Sequence, residues 1–221
     1  MPNYILGTDV SHWQSAVDWS DWAGRGYKFT YIKATEGATW VDPMYFTHKA
    51  NAEGQGLIIG PYHYFRAAFD GIIQARNFNT YAGMGGKLPP AVDVERRNNL
   101  GFSQALFAQR LRDCLLKCEE LFQRRPIIYT SKSMWEELVG NVSWAADYDL
   151  WVAHYSTAST APLLPNGWTN WAVWQYTSSP LDQDRMQDEF YNKIMGESVD
   201  EVTVTIKRST AEDLHLALHG A

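Results

Sequence analysis

The chain has 221 residues, 45% apolar and 20% charged, enough to enclose one sizeable core with ordinary globular composition. Its 25 acidic against 19 basic residues, a formal charge of −6, argue against a nucleic-acid or anionic-membrane partner, and no apolar run approaches the roughly 18 residues that span a bilayer. Two cysteines exclude a disulfide framework, while 10 Trp, 12 Tyr and 9 Phe are numerous enough to serve both a core and stacking on sugar rings.

At the N-terminus Met1-Pro2-Asn3 runs straight into Tyr4-Ile5-Leu6, without the basic segment and long apolar stretch of a secretory leader. The expectation is a leaderless protein, or one whose leader has been removed. Strand-like runs follow at 4–10, 29–34, 57–65, 90–95 and 126–131, with helical patterns at 17–26, 43–53, 72–83, 102–123 and 132–139. The pattern over 102–123 is the clearest. Leu106, Leu111, Cys114, Leu115, Cys118 and Phe122 form an apolar stripe, and Arg110, Arg112, Lys117 and Glu120 fall largely off it. Cys114 and Cys118 read as buried free thiols. This alternation predicts a parallel sheet, open or closed into a barrel.

After residue 140 the pattern changes. Runs at 150–155 and 171–176 read as strands, but Ser156 to Thr160 with Pro162, Pro165 and Gly167 reads as loop between them. The last third is therefore strand-rich and helix-poor. Val202, Val204 and Ile206 then alternate with polar residues as one more strand, and 210–218 reads as a short helix with a Thr210–Asp213 capping box. The chain is read as one domain over 1–192 with an appendage over 193–221.

Polar residues gather at the carboxyl ends of the expected strands: Asp9, Lys33 with Glu36, His63 with Tyr64, Asp93 with Glu95, Tyr129, His154, and Gln175 with Tyr176. Parallel β/α folds bind ligands there. Asp93 and Glu95, two apart on an extended strand, project from one face with Cβ atoms roughly 6–7 Å apart. Such a pair does not ionise freely, which leaves a protonated acid beside a carboxylate, the division that glycosidic cleavage uses. A metal-ligand pair, or a salt bridge to Arg96 or Arg97, fits the same spacing. Asp182-Gln183-Asp184 reads by default as a solvated turn. His215 and His219 have metal-pair spacing but lack the adjoining Glu. His12, His48, His63 and His154 read as hydrogen-bonded residues rather than ligands. Trp13, Trp151 and Trp174 are expected half in the core and half in a cleft.

Six segments together carry a resemblance. They are Asp9-Val10-Ser11-His12-Trp13-Gln14, Tyr31-Ile32-Lys33-Ala34-Thr35-Glu36-Gly37, Gly60-Pro61-Tyr62-His63-Tyr64-Phe65, Asp93-Val94-Glu95, Leu150-Trp151-Val152-Ala153-His154-Tyr155 and Trp174-Gln175-Tyr176. In order and spacing, over roughly 4–190, the chain resembles glycoside hydrolase family 25, the Chalaropsis-type lysozymes that include phage endolysins. The resemblance implies an α/β fold, a TIM-like flattened barrel of eight strands with about five helices, the later strands lacking helices. It implies an N-acetylmuramidase cutting the β-1,4 bond between N-acetylmuramic acid and N-acetylglucosamine in bacterial peptidoglycan. Glu95 would be the general acid, Asp93 its acidic neighbour, and Asp9 a third cleft carboxylate. The fourth family carboxylate falls best on Asp182, after a shortened loop, with Asp188 as the other candidate.

In the expected mechanism Asp93 holds the substrate's acetamido group, which attacks the anomeric carbon while Asp9 and Asp182 stabilise the cation; inversion through an activated water is the rival. Lys33, Tyr62, Tyr64, Tyr129, Trp151, Trp174 and Gln175 would line the sugar-binding groove. This chemistry needs no metal and no cofactor. The expected partner is the glycan strand of the bacterial cell wall, met by a monomer either released through a membrane lesion or secreted. Two alternatives stand beside it: a glycosidase on a chitin-like polymer, and a non-catalytic wall-binding protein on the same scaffold.

Overall fold

A computed structural model of the chain describes residues 4–83, 86–156 and 160–196. Strand β1 (Tyr4–Val10) is followed by helix α1 (Trp19–Gly24) and strand β2 (Phe29–Glu36). A two-residue strand, β3 (Trp40–Val41), folds back on the end of β2 and stays outside the ring. The alternation continues through α2 (Tyr45–Gly54), β4 (Ile58–Tyr64), α3 (Gly71–Ala82), β5 (Ala91–Asp93), α4 (Gln104–Phe122), β6 (Ile127–Thr130) and α5 (Lys132–Leu138). Strands β7 (Leu150–Ala153), β8 (Val173–Thr177) and β9 (Asp182–Gln187) then follow, with no α-helix between them among the described residues.

The ring runs β1-β2-β4-β5-β6-β7-β8-β9 and closes because β1 pairs with both β2 and β9. Seven strands are parallel, and β9 enters antiparallel to both of its neighbours. The eight-strand barrel with five helices and helix-free later strands is as expected. Strands β3 and β9 were not among those expected. Asp182-Gln183-Asp184 is part of β9, not a solvated turn. Its inward positions carry carboxyls instead of apolar groups, Asp182 opposite Asp9 and Asp184 against the Trp151 indole, so the usual strand signal is missing.

The helices begin where short polar side chains cap them. Asp18, Asp70, Ser103 and Ser131 each accept the backbone N–H of the residue three ahead, satisfying donors the helix itself cannot. The stripe read on α4 is buried from Leu111 to Phe122, joined by Phe107 and Ala108, while Leu106 is half-buried; both cysteines are free and buried. Val10, Ile32, Ile59, Val92 and Ile128 from the strands pack there against Phe78, Phe107, Leu111, Leu115 and Trp135 from the helices. Where helices are missing, a smaller cluster replaces them: Leu150, Val152 and Trp174 lie under Leu164, Trp168, Trp171 and Tyr176.

Alternate strand residues fill the barrel with rings. Phe29 meets Tyr31 edge-on, and Tyr31 stacks on Trp151 at 4.5 Å between centroids. Two glycines make the room. A Cβ on Gly7 would lie 2.2 Å from the Phe29 ring, and one on Gly60 2.3 Å from the Tyr31 ring, so neither position accepts even a methyl group without repacking.

The chain divides after Asp188 into this barrel and a C-terminal unit over 189–221, of which 189–196 are described, within helix α6 (Asp188–Gly196). The strand expected near 202–206, the helix expected over 210–218, and His215 with His219 lie outside the described residues.

Candidate active site

An open cleft of ≈ 200 Å³ sits at the carboxyl ends of the parallel strands. Asp9 comes from the end of β1, Lys33 from β2, Tyr62 and Tyr64 from β4, Asp93 from β5, Tyr129 from β6, Trp151 from β7 and Gln175 from β8; all line it. Asp182 reaches the same mouth because β9 runs the other way: its first residue stands opposite Asp9. Glu95 lies just beyond β5. The ladder continues one residue further, through Val94 N–H to the Tyr129 carbonyl at 2.9 Å, and Val94 is buried in the outer core. Alternation therefore returns Glu95 to the side of Asp93, and both line the cleft.

Gln175 ties the cleft together. Its amide Nε2 donates to Asp9 Oδ2 at 2.6 Å, and its Oε1 accepts the hydroxyls of Tyr129 at 2.8 Å and Tyr155 at 2.9 Å, which uses both lone pairs of that oxygen. Lys33 Nζ is turned to Glu36 at 2.7 Å and lies over the Tyr64 ring at 4.6 Å. Trp151 forms the floor, held by Tyr31 and, at 4.6 Å, by Tyr129. Beneath the mouth its indole N–H donates to Asp184 Oδ1 at 2.8 Å, and Asp184 is wholly buried.

Five carboxyls are thus concentrated in and under one cleft, and all are harder to ionise than usual. Burial first, then Glu95, pushes Asp93 well above the carboxylate range, with Lys33 opposing. Burial raises Glu95, opposed by the charges of Lys33 and Arg97. Burial and then Glu95 push Asp182 to about 6. Burial, then the charges of Asp184 and Asp182, raise Asp9 strongly. Asp184 is pushed to about 7, by burial above all, against the Trp151 and Asp9 hydrogen bonds. Asp9 and Asp184 also act on each other at short range, which adds to the rise of Asp9 and opposes that of Asp184. Asp184 Oδ2 is buried and has no hydrogen-bond partner among the described residues. Asp93 Oδ1 is likewise buried and has no partner. Among the described residues no group of three His, Cys, Asp or Glu is arranged to hold a metal ion.

A carboxyl with a higher pKa folded than unfolded holds its proton more tightly when folded. Its stabilising contribution is complete below the unfolded value, about 4. It is lost as pH rises through the folded value, about 6 for Asp182 and about 7 for Asp184. The thermal midpoint is therefore expected to fall between about pH 4 and about pH 7. Asp184→Asn keeps an oxygen for the Trp151 N–H and offers an amide to Asp9, so it should flatten that fall. Calorimetric melting across this range reads the difference; parallel profiles for the two proteins would refute the raised pKa of Asp184.

Ten of the eleven expected site residues line the cleft: Asp9, Lys33, Tyr62, Tyr64, Asp93, Glu95, Tyr129, Trp151, Gln175 and Asp182. Trp174 does not. On a strand, neighbours face opposite sides, so with Gln175 inward Trp174 points outward, where its N–H donates to the His154 carbonyl at 2.8 Å. His63, His154 and Tyr176 also lie off the cleft lining. His63 is buried between Thr35 Oγ1 at 2.8 Å and Gln74 Oε1 at 3.2 Å. Asp188 stands past the far end of β9, away from Asp182 at the mouth. Arg96 pairs with Glu137 rather than with either cleft carboxylate. Arg97, Tyr155 and Asp184 join the site without having been singled out for it, and Trp13, expected partly in a cleft, lines it. Asp184 carried a usable signal, since two residues from Asp182 on a strand is the same face.

Residues 8–184 match the model of the glycosyl hydrolases family 25. The chain is 33% identical over 187 residues to lysozyme M1 of Streptomyces globisporus, covering 79% of this chain and 62% of that protein's length. It is 27% identical to the N,O-diacetylmuramidase of Chalaropsis sp., covering 77% of this chain and 87% of that one. Among solved structures, a muramidase from Acremonium alcalophilum superposes with a TM-score of 0.79 at 32% identity, covering 87% of this chain and all (100%) of that one. A family GH25 lysozyme from Aspergillus fumigatus gives 0.80 at 27% identity over 87% of this chain and 99% of its own.

Proposed function

The chain belongs to glycosyl hydrolase family 25, and on that premise we propose that it is an N-acetylmuramidase acting on the bacterial cell wall. The bond cut is the β-1,4 link from N-acetylmuramic acid to N-acetylglucosamine in peptidoglycan. One observation carries the reading. Asp93 is buried with an unpartnered Oδ1, beside a Glu95 of raised pKa that lines the open cleft. A buried acceptor without a donor is costly in the free protein, and an acetamido N–H is the donor that a hexosamine brings.

In the reaction Glu95, protonated, gives its proton to the glycosidic oxygen as the bond to the anomeric carbon breaks. The carbonyl oxygen of the acetamido group attacks that carbon and forms a cyclic oxazolinium ion. Asp93 accepts the acetamido N–H and balances the positive charge. Asp9 and Asp182 lie opposite each other across β1 and β9 and add negative potential under the growing cation. Water then attacks the anomeric carbon, Glu95 takes its proton, and the acetamide is restored, so the enzyme ends as it began. Trp151 supplies the floor for the sugar, Tyr62 and Tyr64 the walls, and Gln175 keeps Asp9 and the Tyr129 hydroxyl in position.

Reducing-end analysis of purified peptidoglycan after digestion tests this directly. New muramic acid ends are expected. New glucosamine ends, or release only from chitin, would make the substrate another amino-sugar polymer. Sedimentation with walls and no new ends would make the chain a wall binder.

A further inference from the structure

Beside the cleft, and sharing Trp13 and Arg97 with it, lies a second hollow of ≈ 420 Å³. Much of its lining is aromatic. The His12 ring lies 4.7 Å from Trp13 and meets Trp40 edge-on at 5.1 Å. Asp42 fixes that histidine through its Nδ1 at 2.8 Å and its backbone N–H at 3.1 Å. Trp13 is 67% exposed and Phe69 42% exposed, a concentration of open rings that folding alone does not reward. The hollow is also built. Gly37, at φ +56°, lets the Phe69 ring and the Arg66 stem approach to 3.1 and 3.2 Å of where a Cβ would stand, and no other residue takes that backbone so readily.

Its charge is opposite to that of the cleft. Arg66 and Arg97 line it with a single carboxylate, Glu36, which already accepts Lys33 and Arg66 at 2.7 Å each. Arg97 holds no ion pair among the described residues and lies 5.7 Å from the Trp13 ring centre. An anionic group on a substrate is thus drawn to the two guanidinium groups of the adjoining hollow rather than to a cleft lined by four carboxyls. In peptidoglycan such a group hangs from the muramic acid ring next to the bond in question: a short peptide stem, bearing free carboxylates and aliphatic side chains.

We propose that this hollow binds the peptide stem of the muramoyl residue, with Arg66 and Arg97 taking its carboxylates and Trp13, Trp40 and Phe69 covering its aliphatic parts. The inference rests on the muramidase reading. The test compares two substrates: glycan strands carrying their stems, and the same strands stripped by an amidase. The wild-type protein is expected to show a KM about tenfold lower on the peptide-bearing glycan, about 1.4 kcal/mol. Arg66→Gln and Phe69→Ala should each bring the ratio of the two KM values towards one. Reading a ratio on each variant cancels any general loss of activity. A ratio near one in the wild type, or one kept by both variants, overturns the stem site while the muramidase reading stands. Cleavage of neither glycan overturns both.

Discussion

Glu95→Gln is expected to lower turnover on peptidoglycan at least about 100-fold, the range typical of a lost general acid, while the fold stays intact. The substitution keeps the shape of the side chain and removes only the proton that titrates. Nothing structural hangs on the carboxyl. Among the described residues its oxygens make no hydrogen bond or ion pair, and the contact that anchors this position, Asn99 Nδ2 to the Glu95 carbonyl at 2.8 Å, belongs to the backbone. Glu95 also helps hold Asp182 at about 6 and Asp93 well above the carboxylate range. Removing its charge should therefore let both fall. Turnover measured by release of reducing ends, with Asp182 followed by NMR titration, separates the two effects. Near-normal lysis by the variant would end the assignment of Glu95.

The second large effect is on stability. Trp151→Ala should cost about 3–5 kcal/mol, as large aromatic truncations in a core do. The indole is almost completely buried at the centre of the barrel mouth, stacked on Tyr31 and in edge contact with Tyr129. Its loss also strips the wholly buried Asp184 of a hydrogen bond. Trp151→Phe isolates that second part, since it keeps a ring and loses the N–H. In the wild-type background it should cost about 1–3 kcal/mol, and clearly less beside Asp184→Asn, where the acceptor is no longer a buried carboxylate. Denaturant unfolding of the four proteins at neutral pH gives the cycle. Equal losses in both backgrounds would mean that packing alone matters at this position.

The comparison of expectation with structure turns on particular residues. Helix α4 was legible because its apolar stripe at helical spacing has one physical meaning, burial against a neighbour, and the structure buries that stripe. Strand β9 was not, because a strand whose inward residues are Asp182 and Asp184 looks like surface until the polar groups around it are known. Trp174 was misread because proximity to Gln175 in the chain was taken for proximity in the cleft, whereas the strand period of two separates them.

The residues alone were enough for the alternation of strands and helices, the family likeness, and the gathering of Asp9, Asp93 and Glu95 at strand ends, since local periodicity and short motifs are properties of neighbours in the chain. Only closure of the barrel could decide the rest. It brings β9 back beside β1 in reverse, so Asp182 meets Asp9 at the mouth and Asp184 lies beneath them against Trp151. Burial and mutual repulsion then make these carboxyls harder to ionise than usual, a property of charges brought together from distant parts of the chain in a place water scarcely reaches.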